Sequence, residues 1–280
     1  MIDDRLYSVF KQGSKTYFYS SIFFPKEVKK DVFALYAFVR TADDYVDAIP
    51  QQSQEFYQFR KDFLEARQGN PSGNIIIDSF VELEKRKGFE KSWADSFLAS
   101  MEMDLTGKDY CTIEDVEEYM YGSAEVIGLF MAKTLGLPPA SYPSARMLGK
   151  AMQYANFIRD IDEDWGMKRT YFPSLDFREF GISSLSQDEA LGSPEQFSAF
   201  MRKQISRFTA WQAHAEKGFS FIPYRYRIPI KTASEMYKWT AKQIERDPFI
   251  VYKKKVKPGV ARILFSAGKS AVLPGVSSKC

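Results

Sequence analysis

Two stretches of this chain place acidic side chains on the same face of a helix as its apolar residues, and that narrows what the chain can become. The first follows Pro25 and reads KEVKKDVFALYAFVRTADDYVDA, with apolar positions recurring at three- and four-residue spacing. Proline suits the first turn of such a helix, where its missing N–H would have no helical partner anyway. A helix advances about 100° per residue, so Asp43 and Asp47 fall one turn apart on one face, with Asp44 beside them. On that wheel Val32, Tyr36, Val39, Arg40, Asp43 and Asp47 share an arc of roughly 100°, the width of a buried stripe. A surface helix would put its carboxylates on the opposite side. The second stretch predicts one helix from about 144 to 165, closed by Gly166. Here Gln153, Asn156, Asp160 and Asp164 share a narrow stripe, with Glu163 at its edge. Met147, Ala151, Tyr154, Ile158 and Ile161 form a neighbouring stripe suited to helix packing. An arginine accompanies each cluster, Arg40 in the first and Arg159 in the second.

Helical signals dominate the remainder. Thr112 and Asp115 form a capping-box pattern ahead of VEEYMYGSAEVIGLFMAKTLG, which Gly136 and the Pro138-Pro139 pair bring to an end. Further helices are predicted over 194–217 and 230–245, and loops over 67–74 and 166–195. No fixed-period repeat or splitting linker is present, so the expectation is a single all-α domain over 1–265 with a loose, small-residue tail over 266–280. The 24 Phe and 16 Tyr exceed what an ordinary core of 280 residues needs and point to an aromatic-lined interior. With 39 Lys+Arg against 36 Asp+Glu, the net charge of +3 is too weak to suggest nucleic-acid binding. One histidine, His214, reads as a surface helix residue, and two cysteines, Cys111 and Cys280, cannot build a disulfide framework. A zinc site and a Ser-His-Asp triad are therefore not expected. No apolar run approaches ~20 residues and the N-terminus lacks a signal-peptide layout, so a cytoplasmic location is expected.

Buried carboxylates repel one another and lose hydration, so they call for a cation. Hard oxygen ligands without His or Cys select Mg²⁺ or Mn²⁺. Magnesium favours one or two protein carboxylates together with water and phosphate oxygens. Two carboxylate walls with Arg40, Arg159 and Arg169 nearby thus suit a clamp on diphosphate, and an aromatic, apolar cavity below them suits a hydrocarbon. The residues alone point to ionisation of a prenyl diphosphate.

Motifs in chain order strengthen that reading. They are Gly13-Ser14-Lys15-Thr16-Tyr17-Phe18-Tyr19; Tyr36 through Arg40 to Asp47; Tyr119-Met-Tyr121-Gly122-Ser-Ala124-Glu125-Val-Ile-Gly128; and Gln153 to Asp164 followed by Arg169-Thr-Tyr171-Phe172-Pro173. Together, over about residues 7–265, they resemble the squalene and phytoene synthase family, the head-to-head trans-isoprenyl diphosphate synthases. The resemblance implies an isoprenoid-synthase-type helical bundle around a central cavity. It implies magnesium binding by Asp43, Asp47, Asp160 and Asp164, with Asp44 and Glu163 as further candidate ligands. It implies substrate contacts from Ser14, Thr16, Tyr36, Arg40, Tyr121, Gln153, Asn156, Arg159, Arg169 and Tyr171, of which Arg40, Tyr121, Arg159 and Tyr171 are the catalytic candidates.

The implied reaction joins two prenyl diphosphates through a cyclopropylcarbinyl diphosphate. Phytoene from two C20 geranylgeranyl diphosphates is the leading expectation; squalene or dehydrosqualene from two C15 farnesyl diphosphates is the alternative, with NADPH required for squalene. A non-catalytic scaffold of the same fold is the alternative of another class, against which the intact acidic clusters speak. Two positions depart from the family pattern. Glu125 stands where the family usually has Gly, and a C-terminal Arg is matched only by the run Lys253-Lys254-Lys255. That run reads as a solvated face that would also suit anionic lipid, making peripheral membrane contact a further expectation. Tyr19-Ser20-Ser21-Ile22 places small side chains where a prenyl tail could pass.

Overall fold

The structure, a computed structural model, describes residues 2–272 and is all-α, with no strand among the described residues. In chain order the helices are α1 (Asp4–Gly13), α2 (Lys15–Ser21), α3 (Lys26–Asp47), α4 (Ser53–Arg67), α5 (Ile75–Lys87) and α6 (Lys91–Thr106). There follow α7 (Ile113–Met120), a π-helical turn (Tyr121–Glu125), α8 (Val126–Thr134), α9 (Tyr142–Arg159) and α10 (Ile161–Gly166). The chain continues as α11 (Ser174–Phe180), α12 (Gln187–Gly192), α13 (Pro194–Glu216), α14 (Tyr224–Arg246), α15 (Ile250–Lys253) and α16 (Val260–Val272). Local chemistry sets many of these ends. Ser14 caps α2 by accepting the Tyr17 N–H at 3.2 Å, and the Thr112/Asp115 capping box is formed at the start of α7.

Three apolar clusters hold the bundle together. One joins α3, α4, α5, α6 and α8 around Phe38, whose ring stacks on Phe80 at 3.9 Å and meets Phe63 at 4.9 Å. A second packs α9 on α13 and α14 through Tyr154, Phe157, Phe200 and Phe208. The third gathers Phe10, Phe18, Phe24, Phe33 and Tyr226 from α1, α2, α3 and α14. Most of the aromatic surplus therefore builds cores, where the sequence pointed only to an aromatic-lined interior.

The structure differs from the expectations in four further places. The helix predicted over 144–165 breaks at Asp160 (φ −101, ψ 16), leaving α9 and α10 as separate elements. The segment 166–195, expected as loop, holds the short helices α11 and α12. The last long helix begins at Tyr224 instead of Ile230 and accommodates Pro229 inside it. The boundary expected at 265/266 falls within α16, where Ala267 is fully buried; of the expected tail, residues 273–280, including Cys280, lie outside the described residues. His214 is exposed on α13 and Cys111 is an exposed free thiol. No helix among the described residues is long and apolar enough to cross a membrane.

Candidate active site

A cavity of about 510 Å³ lies between α2, α3, α8, α9 and α14. Along α3 its lining passes from Val32 and Leu35 through Tyr36 to Arg40 and Asp43. Along α9 it passes from Ser144 and Ala145 through Met152 to Gln153, Asn156 and Arg159. Both helices thus carry apolar wall in their N-terminal parts and charge at their C-terminal ends, which makes an apolar shaft under a polar mouth. Of the stripes read from the sequence, Val32, Tyr36, Val39, Arg40, Asp43, Gln153 and Asn156 line the cavity, while Asp47, Asp160 and Asp164 lie outside its lining. Phe24, Leu135, Leu137, Phe219 and Ile222 line the apolar part. Close helix approach keeps the shaft narrow: a Cβ on Gly128 would sit 2.1 Å from the Ala145 carbonyl oxygen, and one on Gly149 would sit 2.2 Å from that of Ala124.

At the mouth, the turn between α1 and α2 brings Ser14 and Thr16 over α3. Gly13 permits this, since a Cβ there would lie 2.5 Å from the Tyr36 hydroxyl and 3.0 Å from Arg40 Cγ. Arg40 donates to Asp43 at 2.6 Å and also pairs with Asp44. Arg169 reaches across from the segment after α10, donating to Asp47 at 2.7 Å and to the Val46 carbonyl at 2.5 Å. Arg159 grips Asp160 with two hydrogen bonds of 2.7 and 2.5 Å. Adjacent side chains on a regular helix point about 100° apart, so this fork needs the backbone break at Asp160. The same break carries Asp164 toward the first cluster. Its carboxyl is held well above the usual range by burial, then by repulsion from Asp160 and from Asp47 of the opposite wall. Asp43 is likewise raised by burial and by Asp47, against the pull of Arg40. A third of its side chain is exposed, and it lines the cavity. The two clusters therefore face each other. Asp44 and Glu163 are about half exposed and sit at the outer rim.

Two of the expected catalytic residues are placed elsewhere. Tyr121, in the π-helical turn, does not line the cavity; Arg146 lies over its ring at 5.2 Å. Tyr171 is buried behind the first wall, stacked on Phe157 at 4.4 Å and donating to Asp104 Oδ1 at 2.7 Å. Tyr119 donates to the other oxygen of Asp104 at 2.7 Å, and the Asp104 backbone carbonyl accepts from Gln51 at 2.9 Å and from Arg169 at 3.4 Å. Burial pushes the Asp104 carboxyl up to about 6 against the opposing pull of Arg169 and the two tyrosines. Asp104 and Tyr119 thus form a buttress behind Arg169 and Asp47; Tyr119 opens one of the motifs read from the sequence, whereas Asp104 did not stand out there. Inside the cavity the tyrosines are Tyr17, Tyr36 and Tyr237, with the Tyr17 and Tyr237 hydroxyls 2.9 Å apart.

The donor set suits a hard divalent cation. It consists of carboxylate oxygens that repel across the mouth and of Asn156 Oδ1, which is buried without a hydrogen-bond partner. Among the described residues no three acidic, His or Cys side chains converge on one point. A cation here would take one or two carboxylates per wall and complete its shell with water and diphosphate oxygens.

The squalene/phytoene synthase family profile matches residues 10–262. The chain belongs to that family. It is a prenyltransferase, of a family whose members condense prenyl diphosphates head to head with a divalent metal. It is 26% identical over 260 residues to 15-cis-phytoene synthase of Paracoccus sp. (strain N81106 / MBIC 01143), covering 89% of this chain and 84% of that one. It is also 26% identical over 262 residues to 15-cis-phytoene synthase of Synechococcus elongatus, covering 86% and 83%. Among solved structures, a dehydrosqualene synthase in complex with ligand superposes with TM-score 0.86 at 23% identity, covering 95% of this chain and 94% of the other. A squalene synthase from Alicyclobacillus acidocaldarius gives 0.77 at 19%, covering 87% and 93%. These superpositions establish the isoprenoid-synthase helical fold.

Both departures from the family pattern now have a place. Glu125 is buried facing α9, outside the cavity lining, where Arg146 pairs with it at 2.7 Å and Lys150 at 3.0 Å. Lys150 also reaches Glu117 at 3.2 Å, so the added carboxylate arrives with its own cations. The Lys253–Lys257 run is not a uniformly solvated face. Lys253 pairs with Asp247, Lys255 pairs with Glu163 and lies 3.3 Å from Asp160, and Lys257 lines the mouth. The lysines of a terminal connection read as surface charge because only the packing of α15 beside α10 turns two of them inward.

Proposed function

We propose that the chain condenses two molecules of geranylgeranyl diphosphate to phytoene through a cyclopropylcarbinyl diphosphate, releasing diphosphate, with Mg²⁺ or Mn²⁺. The observation that carries this reading is the pairing of a two-walled carboxylate and arginine mouth with an apolar shaft. Bound between the walls, the divalent metal would supply charge neutralisation for the departing diphosphate. Arg40 and Arg159, at rest on Asp43 and Asp160, have the fork geometry to transfer to diphosphate oxygens. Arg169 holds Asp47 in place, and Gln153 and Asn156 offer amide contacts at the mouth. The shaft excludes water from the allylic cation.

The cavity tyrosines keep their protons. Burial raises Tyr17, Tyr36 and Tyr237, so each is a neutral phenol and a poor base. The released diphosphate is then the better acceptor for the proton lost in closing the cyclopropane and in ending the reaction. Chain length turns on Ser20 and Ser21, which line the cavity beside Phe24. Each methylene excluded from the shaft forfeits about 0.8 kcal/mol of burial, so five carbons are a large difference. Ser21 is buried and its hydroxyl is tied to the Phe18 carbonyl at 2.8 Å, leaving no bulk in the path of a C20 tail.

The test is incubation with C15 and C20 diphosphates, with and without NADPH, followed by identification of the hydrocarbon. Phytoene from C20 is the expected product, and Ser21→Phe is expected to shift preference toward C15. A wild-type protein that makes only squalene or dehydrosqualene defeats the phytoene assignment.

A further inference from the structure

Three segments of the chain, 5–26, 217–234 and 248–269, contain no acidic residue. They hold fourteen lysines and arginines, although the whole chain carries only +3. The fold brings these segments together, since α2, α14 and α16 pack against one another. Lys253, Lys255 and Lys257 turn instead to Asp247, Glu163 and the mouth, which leaves the other eleven cations to this side of the molecule.

The same face exposes large apolar side chains. On α16, Ile263 and Ala267 are fully buried while Phe265 is 77% exposed. Leu264 is also exposed, and Lys269 lies one turn beyond Phe265 on the outward side. The outside of this helix is thus apolar and basic at once. Ile22 and Phe23 are exposed in the turn after α2, and Phe221 is exposed just before α14. The Phe24 and Tyr226 rings, 6.3 Å apart, hold these two places side by side. Among the described residues no ion pair joins Lys26, Lys217, Arg225 or Lys269 to an acid. On the inner side of the same wall, Ser20, Ser21, Ile222 and Ala233 line the cavity. At Ile22, Phe23 and Phe221 one layer of chain separates the shaft from this surface, while α16 packs against α2 and α14 without lining the shaft.

We propose that this face docks on a bilayer containing anionic lipid. Phe23, Phe221, Leu264 and Phe265 would enter the headgroup region while Lys26, Lys217, Arg225 and Lys269 meet lipid phosphates. Charge complementarity selects that occupant. A second copy using the same face would set one acid-free surface against another. The proposal stands on this face alone; the water-insoluble product of the proposed reaction gives it a purpose, because a hydrocarbon leaving the shaft across α2 and α14 would enter lipid directly.

Flotation of the full chain with vesicles tests it, comparing pure phosphatidylcholine with phosphatidylcholine containing phosphatidylglycerol. Binding is expected to the anionic vesicles, weaker to neutral ones, and to fall with added salt. Lys26→Glu and Lys269→Glu are each expected to lower the partition coefficient about fivefold or more. Phe265→Ser, and Phe221→Ser on a different element, are each expected to lower it about tenfold. Circular dichroism on the variants checks that the helices persist. Failure to bind anionic vesicles, or equal flotation of wild type and all four variants, overturns the proposal. So does a dimer in light scattering that Phe265→Ser dissolves, or vesicle binding that appears only when the chain is ended at Val272. None of these readouts depends on turnover.

Discussion

Asp31 and Asp43 lie on the same helix, about 18 Å apart along its axis, and the protein treats them in opposite ways. Asp31 is buried, yet Arg86 at 2.7 Å and Lys87 at 3.0 Å outweigh the burial and hold its carboxyl below the usual range. Asp176 follows the same pattern, with burial outweighed by Arg207, Lys203 and Gln204. At Asp43 and Asp164 burial prevails, and neighbouring carboxylates add to it. Charge is thus settled within the fold at the first pair and left unsettled at the second. A stable bundle gains nothing from unsettled charge; a site awaiting cations and an anionic ligand requires it. Glu84 shows that burial alone can raise a paired carboxyl, since Arg67 grips it with two hydrogen bonds and it is still raised. What sets Asp43 and Asp164 apart is the added repulsion of neighbouring carboxylates, which fits the metal-binding role proposed for them.

The largest expected effect tests that separation directly. Asp43→Asn combined with Asp164→Asn is expected to lower product formation by at least about three orders of magnitude. Removing their repulsion with Asp47 and Asp160 should leave the melting temperature unchanged or raised. Asp31→Asn is expected to do the reverse, keeping turnover within a few-fold while costing about 2 kcal/mol, roughly 4–8 °C in melting temperature. Melting curves and product assays on both variants check this; a destabilised Asp43/Asp164 variant would break the comparison. Next come the arginines resting on the walls. Arg40→Lys and Arg159→Lys keep charge but lose the fork, and each should reduce kcat/KM by one to two orders of magnitude. Unchanged kinetics in both would mean these arginines only balance wall charge.

Glu125 extends the comparison to a third buried acid. Glu125→Gly leaves Lys150 with Glu117 as its remaining partner and should destabilise by about 2 kcal/mol, read in denaturant unfolding, with product and chain-length preference unaltered. A changed preference would place Glu125 in control of cavity shape. The smallest effect is expected at Tyr121. Its ring lies under Arg146 outside the cavity lining, so Tyr121→Phe should alter turnover by less than about threefold. A large loss would require its hydroxyl to reach the substrate.

The walls of the site were legible in the sequence because they obey helical spacing. Val32, Tyr36, Arg40 and Asp43 on α3, and Gln153 and Asn156 on α9, lie on the stripe that one turn per 3.6 residues assigns them. The break at Asp160 was not legible, since the Arg159–Asp160 fork and the chain's return through Arg169 are decided by tertiary contacts. Asp104 carries no local mark in MEMDLTG; it becomes a buttress only when Tyr119 and Tyr171 arrive from other elements. Lys255 and Lys257 escaped for the opposite reason, because a lysine run has a ready explanation as solvated charge. The aromatic surplus marked burial but not place, since rings serve cores and cavity walls alike.

Titration of inorganic diphosphate into the protein by calorimetry, with magnesium and again with excess chelator, reaches the central claim most directly. The account predicts binding in magnesium, its loss in chelator, and its loss in the combined Asp43→Asn and Asp164→Asn variant. Binding of equal strength in chelator, or undiminished in that variant, would contradict it.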